Sequence, residues 1–198
     1  DLHDDIGATL SSIKIYGELA HTVLDDKPDQ SKAMIGKITE QSKDLMQRMG
    51  DVIWSMKSTD ETQNSFTTRI NNYCSELLAP KGITCEIEID DAMCSKITNP
   101  ITRKHILLIV KEALNNIAKY SGATHTFISF KQADGKLVLI IQDNGKGFTN
   151  PESMNGNGLG NIRQRCEQCN GSCKIESVPG KGVTITAVFP IAIFNYTE

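Results

Sequence analysis

The chain has 198 residues, of which 39% are hydrophobic and 23% are charged, and this composition predicts one or two folded domains rather than a disordered segment. The net charge is −3, and no block of like charge favours nucleic-acid binding. The longest aliphatic run, from Ile106 to Val110, is far shorter than the roughly 20 residues that a membrane-spanning helix needs.

The six cysteines do not resemble a secreted disulfide framework. Cys74, Cys85 and Cys94 stand far apart in the sequence, and no signal peptide is visible. We therefore expect reduced thiols in a cytosolic compartment. The other three cysteines lie within residues 166–173, but three thiols without a fourth ligand do not favour a zinc site.

The spacing of apolar residues in 1–57 predicts two long helices. Apolar side chains recur every three or four residues from Leu2 to Leu24, and from Ile35 to Met56 the steps alternate strictly between three and four, as in a coiled coil. Pro28, within a polar cluster, separates the two helices. A helical hairpin cannot bury such a seam by itself, so we expect two copies to form a four-helix bundle. Packing of the hairpin on the rest of its own chain is the alternative.

A polar stretch after the hairpin predicts a linker and a second domain. We place the dimerising hairpin at residues 1–60, the linker at 61–65 and the second domain at 66–198. The elements predicted for the second domain are a helix at Thr67–Leu78, a strand at Ile83–Ile89, a helix at Ile101–Tyr120, a hairpin of strands at Thr126–Lys131 and Leu137–Gln142, a helix at Leu159–Cys169 and strands at Cys173–Val178 and Gly182–Phe189. This order predicts a helical layer on a mixed or antiparallel sheet.

The helix predicted at Ile101–Tyr120 has one polar edge. On ideal helical geometry Glu112, Asn116 and Lys119 lie in a narrow arc opposite the apolar face. Such an edge is usually a solvated surface. A carboxamide oxygen, however, can serve as one of the few protein ligands that Mg²⁺ accepts beside phosphate and water, and a lysine can offset phosphate charge.

Two glycine-containing segments follow this helix. Asp143 ends a strand, where its carboxylate can accept a hydrogen bond from an exocyclic amine, and Gly145 and Gly147 let the backbone approach a flat ring. Residues 156–160 lead into a helix, whose first N–H groups and positive dipole end favour phosphate. Each segment alone is ambiguous, because an ordinary turn or flexible loop has a similar sequence.

The succession of these segments resembles the asparagine box and two glycine boxes of the ATP-binding fold shared by sensor histidine kinases, HSP90, gyrase and MutL. Residues 112–123 are close to the kinase form of the asparagine box. The resemblance implies that Asn116 is a Mg²⁺ ligand, that Glu112 is a polar or basic partner of the reaction, and that residues 148–158 form a short ATP lid. It also implies nucleotide contacts by Asn116, Lys119, Tyr120, Asp143, Gly145, Gly147, Gly156, Gly158, Leu159 and Gly160.

The sequence Leu2-His3-Asp4-Asp5 resembles the phosphoacceptor box of two-component sensor kinases, in the His-Asp subclass that includes nitrate sensors. The resemblance implies that His3 accepts the phosphoryl group. Asp4 is the natural acceptor for the Nδ1 proton, which leaves Nε2 of His3 free to attack. Ala8 stands where the subclass usually has a glutamine that positions water for dephosphorylation of the regulator.

A second departure lies near the end of the chain. Val183 stands where the ATP-binding fold usually has a threonine, and Thr184 comes one residue later. A hydroxyl group at the adenine pocket is therefore expected to be missing or shifted.

The whole resemblance implies a dimeric four-helix bundle followed by an α/β-sandwich ATPase domain. We expect the catalytic core of a sensor histidine kinase, with Mg²⁺ and ATP, that phosphorylates His3 in cis or in trans within a homodimer and passes the phosphoryl group to an aspartate of a response regulator. Whether Asp4 or Glu112 takes the imidazole proton stays open. We expect ATP to be preferred over GTP, because a carboxylate at Asp143 would face the guanine carbonyl.

Two other functions remain as alternatives: a degenerate, non-enzymatic module in which ATP gates dimerisation or partner docking, and a general ATPase of the wider fold family. We expect no nucleic-acid partner. The chain begins inside a predicted helix, so we expect it to be a cytoplasmic fragment of a longer protein. An upstream anchor in the inner membrane is compatible with this expectation.

Overall fold

A computed structural model describes residues 2–56, 65–95, 97–149 and 158–190, with side chains from residue 6 onward. The chain forms two compact units, Asp1–Trp54 and Ser55–Glu198. All but the last residue of the predicted linker at 61–65 lies outside the described residues, so its boundaries stay a prediction. No helix among the described residues has both the length and the apolar character that crossing a membrane requires.

The first unit is a hairpin of the two predicted helices, α1 (Leu2–Thr22) and α2 (Pro28–Met56). Pro28 is the first residue of α2, a position where proline's missing N–H costs no helical hydrogen bond. The hydroxyl of Ser31 donates to the carbonyl of Ala20 at 2.9 Å, and the side-chain amide of Gln41 donates to Ser12 at 3.2 Å. These two contacts pair later residues of α2 with earlier residues of α1, so the helices run antiparallel.

The second unit is α/β. Its elements are α3 (Phe66–Leu77), a 3₁₀ turn (Ala79–Lys81), β1 (Thr84–Ile89), α4 (Asp91–Cys94), α5 (Pro100–Asn116), a π-helical turn (Ile117–Ser121), β2 (His125–Ala133), β3 (Lys136–Asp143), α6 (Gly158–Gln168), β4 (Ser172–Val178) and β5 (Gly182–Pro190). The predicted helices and strands are confirmed, with ends that differ by a few residues. The short helix α4 and the π-helical turn were not predicted.

The strands form one mixed sheet in the order β1-β2-β3-β5-β4. β1 is parallel to β2, and the other neighbours are antiparallel. The hairpin between β2 and β3 turns at Asp134 and Gly135, which both have positive φ (49° and 71°), as a two-residue hairpin turn of this type requires. The predicted helical layer on a mixed sheet is therefore confirmed.

The core lies between the sheet and α5. Alternate strand residues such as Ile128, Leu139 and Phe189 are fully buried, and so are Ile106 and Leu114 of α5. Asn99 caps α5, its side-chain oxygen accepting from the N–H groups of residues 101 and 102. The packing of α5 on the sheet brings the carboxyl end of this helix beside the end of β3 and the beginnings of β5 and α6.

Candidate functional site

A cavity of about 340 Å³ opens at the end of the sheet where β3 stops and β5 begins. Its walls are mainly apolar and come from α5, the π-helical turn, β3, β5 and α6: Ala113, Ile117, Ile141, Phe148, Leu159, Val183 and Ile185. The polar residues of its lining are Asn116, Tyr120, Ser121, Asp143 and Lys146. Five residues singled out from the sequence thus lie around one cavity: Asn116, Tyr120, Asp143, Gly147 and Leu159.

Asp143 is the last residue of β3 and is only 4% exposed. Its Oδ1 accepts a hydrogen bond of 2.8 Å from the N–H of Gly145. Burial raises the pKa of Asp143, and hydrogen bonds from the backbone N–H groups of Gly145 and Val183 oppose this rise. A carboxylate has about four acceptor positions, so Asp143 is held in place and still has lone pairs for a donor on a ligand in the cavity.

Two glycines, Gly145 and Gly182, let the backbone pack closely around Asp143, and a third, Gly147, lets it pack against Val178 and Gly182. A Cβ on Gly145 would lie 2.7 Å from Oδ1 of Asp143 and 2.5 Å from the carbonyl oxygen of Ser121. Gly147 has φ of 60°, and a Cβ there would collide with the carbonyl of Val178. Gly182 has φ of 88°, and a Cβ there would collide with the carbonyl of Asp143. Gly145 is therefore required for packing beneath the carboxylate.

The sequence reasoning missed Gly182 as a residue of the site. Its only signal was the Gly180-Lys181-Gly182 turn before β5, and a glycine that serves a turn cannot be told from one that serves a close approach without the tertiary structure.

Glu112 and Asn116 lie at the mouth of the cavity beside the first residue of α6. A Cβ on Gly158 would touch Oε1 of Glu112 and lie 3.2 Å from Nδ2 and 3.3 Å from Oδ1 of Asn116. Nδ2 of Asn116 is buried and has no hydrogen-bond partner among the described residues. The side chains of Glu112 and Asn116 therefore lie against Gly158, at the N-terminus of α6. The first N–H groups of a helix favour an anion.

Lys119 lies in a stretch where the helix changes. The backbone changes to π-helical spacing at Ile117, with i→i+5 hydrogen bonds, so the angles of an ideal α-helix do not carry over to the residues of this turn. The Lys119 side chain is exposed and does not line the cavity. Its alignment with Glu112 and Asn116 and its contact with a nucleotide stay predictions.

Gly160 is not among the residues that line the cavity. No described atom lies within 4 Å of a Cβ built on Gly160. Gly156 and most of the predicted lid at 148–158 lie outside the described residues. His3 and Asp4 belong to the first turn of α1, and their side chains also lie outside the described part of the chain.

Val183, rather than Thr184, faces the cavity. Val183 and Ile185 both line it, and strand alternation places Thr184 on the opposite face of the sheet. Two hydroxyl-bearing residues line the cavity, Tyr120 and Ser121. The Ser121 hydroxyl donates to the carbonyl of Ile117 at 2.8 Å and accepts from the N–H of Ala123 at 2.9 Å. At the place on β5 where the sequence predicts a missing or shifted hydroxyl, the cavity wall is the apolar side chain of Val183.

The donors at the cavity mouth suit a hard cation. A carboxamide oxygen and a neighbouring carboxylate are ligands that Mg²⁺ accepts, and this ion usually takes only one or two protein oxygens beside water and phosphate. Among the described residues there is no group of three His, Cys, Asp or Glu side chains that could hold a metal ion by itself. A magnesium ion here would therefore depend on the ligand's phosphates.

Two protein families match the chain. The family described as "Histidine kinase" matches residues 1–61, and the family described as "Histidine kinase-, DNA gyrase B-, and HSP90-like ATPase" matches residues 101–193. Among curated proteins, the sensor histidine kinase YvfT of Bacillus subtilis is 27% identical over 94% of the chain. The nitrate/nitrite sensor protein NarX of Escherichia coli is 23% identical over 96% of the chain.

Solved structures show the same fold. The histidine kinase domain of the blue-light activated histidine kinase from Erythrobacter litoralis has a TM-score of 0.61 at 15% identity, covering 94% of this chain and 95% of that one. The Acinetobacter baumannii histidine kinase AdeS has a TM-score of 0.58 at 17% identity, covering 91% and 95%. The chain spans 48% of YvfT and 31% of NarX, so it corresponds to a part of these relatives.

Proposed function

We propose that the chain is the catalytic core of a sensor histidine kinase of two-component signal transduction, as its similarity to both histidine kinase families supports. In this proposal the cavity binds ATP, the γ-phosphoryl group is transferred to His3, and the phosphoryl group then passes to an aspartate of a response regulator. The observation that carries the proposal is the arrangement of the cavity, with a buried carboxylate at one end and Glu112, Asn116 and a helix N-terminus at the other.

The apolar part of the cavity suits adenine. Side chains such as Ile141, Val183 and Ile185 provide a surface for a flat ring, and the cavity volume of about 340 Å³ is within the usual range for small-molecule sites. Asp143 supplies an acceptor for the exocyclic amine of adenine. Guanine would present a carbonyl oxygen to the same carboxylate, so ATP is favoured over GTP.

The phosphates would extend toward the first turn of α6. The N–H groups of that turn favour negative charge, and Asn116 would hold Mg²⁺ through its carboxamide oxygen. When bound, the ion offsets charge on the transferring phosphoryl group. Glu112, which lies beside Asn116 and Gly158, is close enough to this end of the cavity to act as a polar or basic partner of the reaction. The exposed side chain of Lys119 is proposed to contact the nucleotide and to offset the charge of its phosphates.

His3 is the proposed phosphate acceptor. A neutral imidazole is a competent nucleophile, and a hydrogen bond from Nδ1 to Asp4 would keep Nε2 unprotonated for in-line attack. Phosphoryl transfer needs chiefly positioning and charge stabilisation from the protein, and in this proposal the cavity orients the nucleotide while Asn116 and the first turn of α6 stabilise the charge of its phosphates. In this proposal either Asp4 or Glu112 receives the imidazole proton.

The hairpin carries the proposed dimer contact. Leu10, Leu24, Ile35 and Met49 lie on the predicted heptad seam, yet each is between 43% and 51% exposed in the single hairpin. Burial of such a continuous apolar seam against a second hairpin would remove this area from water and complete a four-helix bundle. Sensor histidine kinases generally dimerise and signal to response regulators, and transfer in cis or in trans within this dimer is compatible with the seam.

Incubation with γ-labelled ATP and Mg²⁺ tests the proposal. We expect label on the protein that resists alkali and is lost in acid, and we expect none on His3→Ala. His21→Ala is the matched control, because His21 is an exposed histidine on the same helix and should leave labelling unchanged. ATP binding without protein label would instead support a non-enzymatic module, and release of free phosphate without protein label would support a general ATPase.

A further inference from the structure

Two cysteines that the proposed kinase reaction does not use lie in direct contact. Cys74 is on α3 and Cys85 is on β1, and their Sγ atoms are 2.9 Å apart. Cys74 is 5% exposed, whereas Cys85 is half-buried. Eleven positions separate them in the chain, and the sequence alone had indicated no pairing.

The backbone between these residues holds the two thiols in place. Leu78 N–H donates to the Cys74 carbonyl at 2.8 Å, and Ile83 N–H donates to the Leu78 carbonyl at 3.2 Å. Gly82 makes the turn with φ of 70°, and both Leu78 and Ile83 are buried. The contact is therefore a consequence of a packed helix-turn-strand unit rather than of two mobile side chains.

The distance between the two Sγ atoms is only slightly longer than a disulfide bond. A disulfide has an S–S length near 2.05 Å, so closure requires an approach of about 0.9 Å, which small side-chain rotations can supply. Oxidation of this pair is thus compatible with the native backbone.

The two thiols are also unequal as nucleophiles. The hydrogen bond from the Cys74 thiol lowers the pKa of Cys85, against the opposing effect of burial, while the same contact together with burial raises the pKa of Cys74. Thiolate is the reactive form, so Cys85 is the attacking sulfur and is also the more accessible one. Cys94 differs from it, because burial and the nearby carboxylates of Asp91 and Asp90 raise its pKa.

We propose that Cys74 and Cys85 form an oxidisable dithiol site, which a peroxide converts into an intramolecular disulfide that links α3 to β1. In the first step the Cys85 thiolate attacks one oxygen of hydrogen peroxide, the O–O bond breaks, and a sulfenic acid and hydroxide form. In the second step the Cys74 sulfur attacks the Cys85 sulfur, the S–O bond breaks, and water leaves with the Cys74 proton. Two thiols lose two electrons, and one peroxide becomes two molecules of water.

Peptide mapping of the folded chain tests the site. The protein is treated with hydrogen peroxide, the peroxide is removed, and the chain is unfolded in the presence of excess alkylating agent and then digested with trypsin. Cleavage after Arg69, Lys81 and Lys96 places Cys74 on one peptide and both Cys85 and Cys94 on the next. We expect these two peptides to be joined with the loss of two hydrogen atoms, and a dithiol reductant to separate them.

Two variants assign the bond. Cys94→Ser should keep the cross-linked peptides, and Cys85→Ser should lose them. Fragmentation of the wild-type cross-link gives the same assignment if a variant does not fold. Recovery of Cys74 and Cys85 as alkylated thiols while peroxide is consumed would overturn the proposal, as would conversion of Cys85 to sulfinic acid with Cys74 free, or a bond at Cys94.

Discussion

Replacement of Asp143 by asparagine is the sharpest test of how the cavity recognises its ligand. The change keeps the size of the side chain and leaves an oxygen that can accept the 2.8 Å hydrogen bond from the Gly145 N–H. The second oxygen becomes an NH₂ group, which then meets the N–H of Val183 or the amine of adenine. Either arrangement sets a donor against a donor at a residue that is only 4% exposed.

The expected loss follows from the strength of one hydrogen bond to a charged group. Such a bond contributes about 1.5–3 kcal/mol, so Asp143→Asn should weaken ATP binding by roughly 10- to 150-fold. Isothermal titration calorimetry with ATP measures this directly and does not depend on labelling of His3. We expect the preference for ATP over GTP to shrink at the same time, because the carboxylate that opposes the guanine carbonyl is gone.

Asp134→Asn is the matched control for this measurement. Asp134 is an exposed carboxylate in the turn between β2 and β3, and asparagine tolerates its φ of 49° equally well. The same chemical change there should leave the affinity for ATP unaltered. If Asp143→Asn bound ATP within twofold of the unmodified chain, Asp143 would not contact the base and the orientation of the nucleotide given above would be wrong.

Three further predictions concern single residues and their effect on ATP binding, labelling or stability. Gly147→Ala should abolish ATP binding and destabilise the fold by roughly 1–3 kcal/mol, since its φ is positive and a Cβ would collide with the carbonyl of Val178. Gly36→Ala on α2, where a Cβ meets no atom within 4 Å, should leave ATP binding unchanged and should not lower the stability. Asn116→Asp should abolish labelling by γ-labelled ATP, because a second carboxylate beside Glu112 brings like charges together at the phosphate end of the cavity; full labelling would show that the amide is not needed. The stability of the chain should fall as the pH drops below about 6.5, because burial and then Arg165 and Lys104 lower the pKa of His105 in the folded chain.

The sign of the His105 effect is fixed by linkage. Below the ordinary histidine pKa the unfolded chain binds a proton that the folded chain resists, so the unfolded state gains stability as the pH falls. Thermal unfolding followed between pH 5 and pH 7 should show this slope, and His105→Gln should flatten it. A slope that the variant leaves unchanged would assign the effect to other groups.

Asp143 makes the stability of the folded chain depend on pH in the opposite direction to His105, because its contribution is lost as the pH rises. Its folded pKa is raised above the ordinary value of 3.8, so the unfolded chain releases its proton first as the pH rises. The stability from this group is present below that value and is lost as the pH passes through the folded pKa. Thermal unfolding of the ATP-free chain should show that Asp143→Asn removes this loss above pH 4.

Local patterns in the sequence were sufficient for most of the secondary structure. The strict heptad spacing in α2, the alternation in β1 and the Asp134-Gly135 turn are each set by neighbours a few residues away. The four-residue helix α4 was missed because it is shorter than two helical turns, which leaves no period to detect. The π-helical turn at Ile117–Ser121 was missed for a similar reason, because five residues are too few to show a change of period.

The order of motifs along the chain was enough to predict the kind of fold and the residues around the cavity, such as Asn116 and Asp143, because these motifs combine particular residue types with local spacing. Tertiary packing alone decided that Gly145 and Gly182 pack against Asp143, that the hydroxyl of Ser121 lies in the cavity wall, and that the thiols of Cys74 and Cys85 touch. These contacts join residues from different strands and helices. Distances between such residues depend on how the sheet and helices pack, and no local pattern in the sequence encodes them.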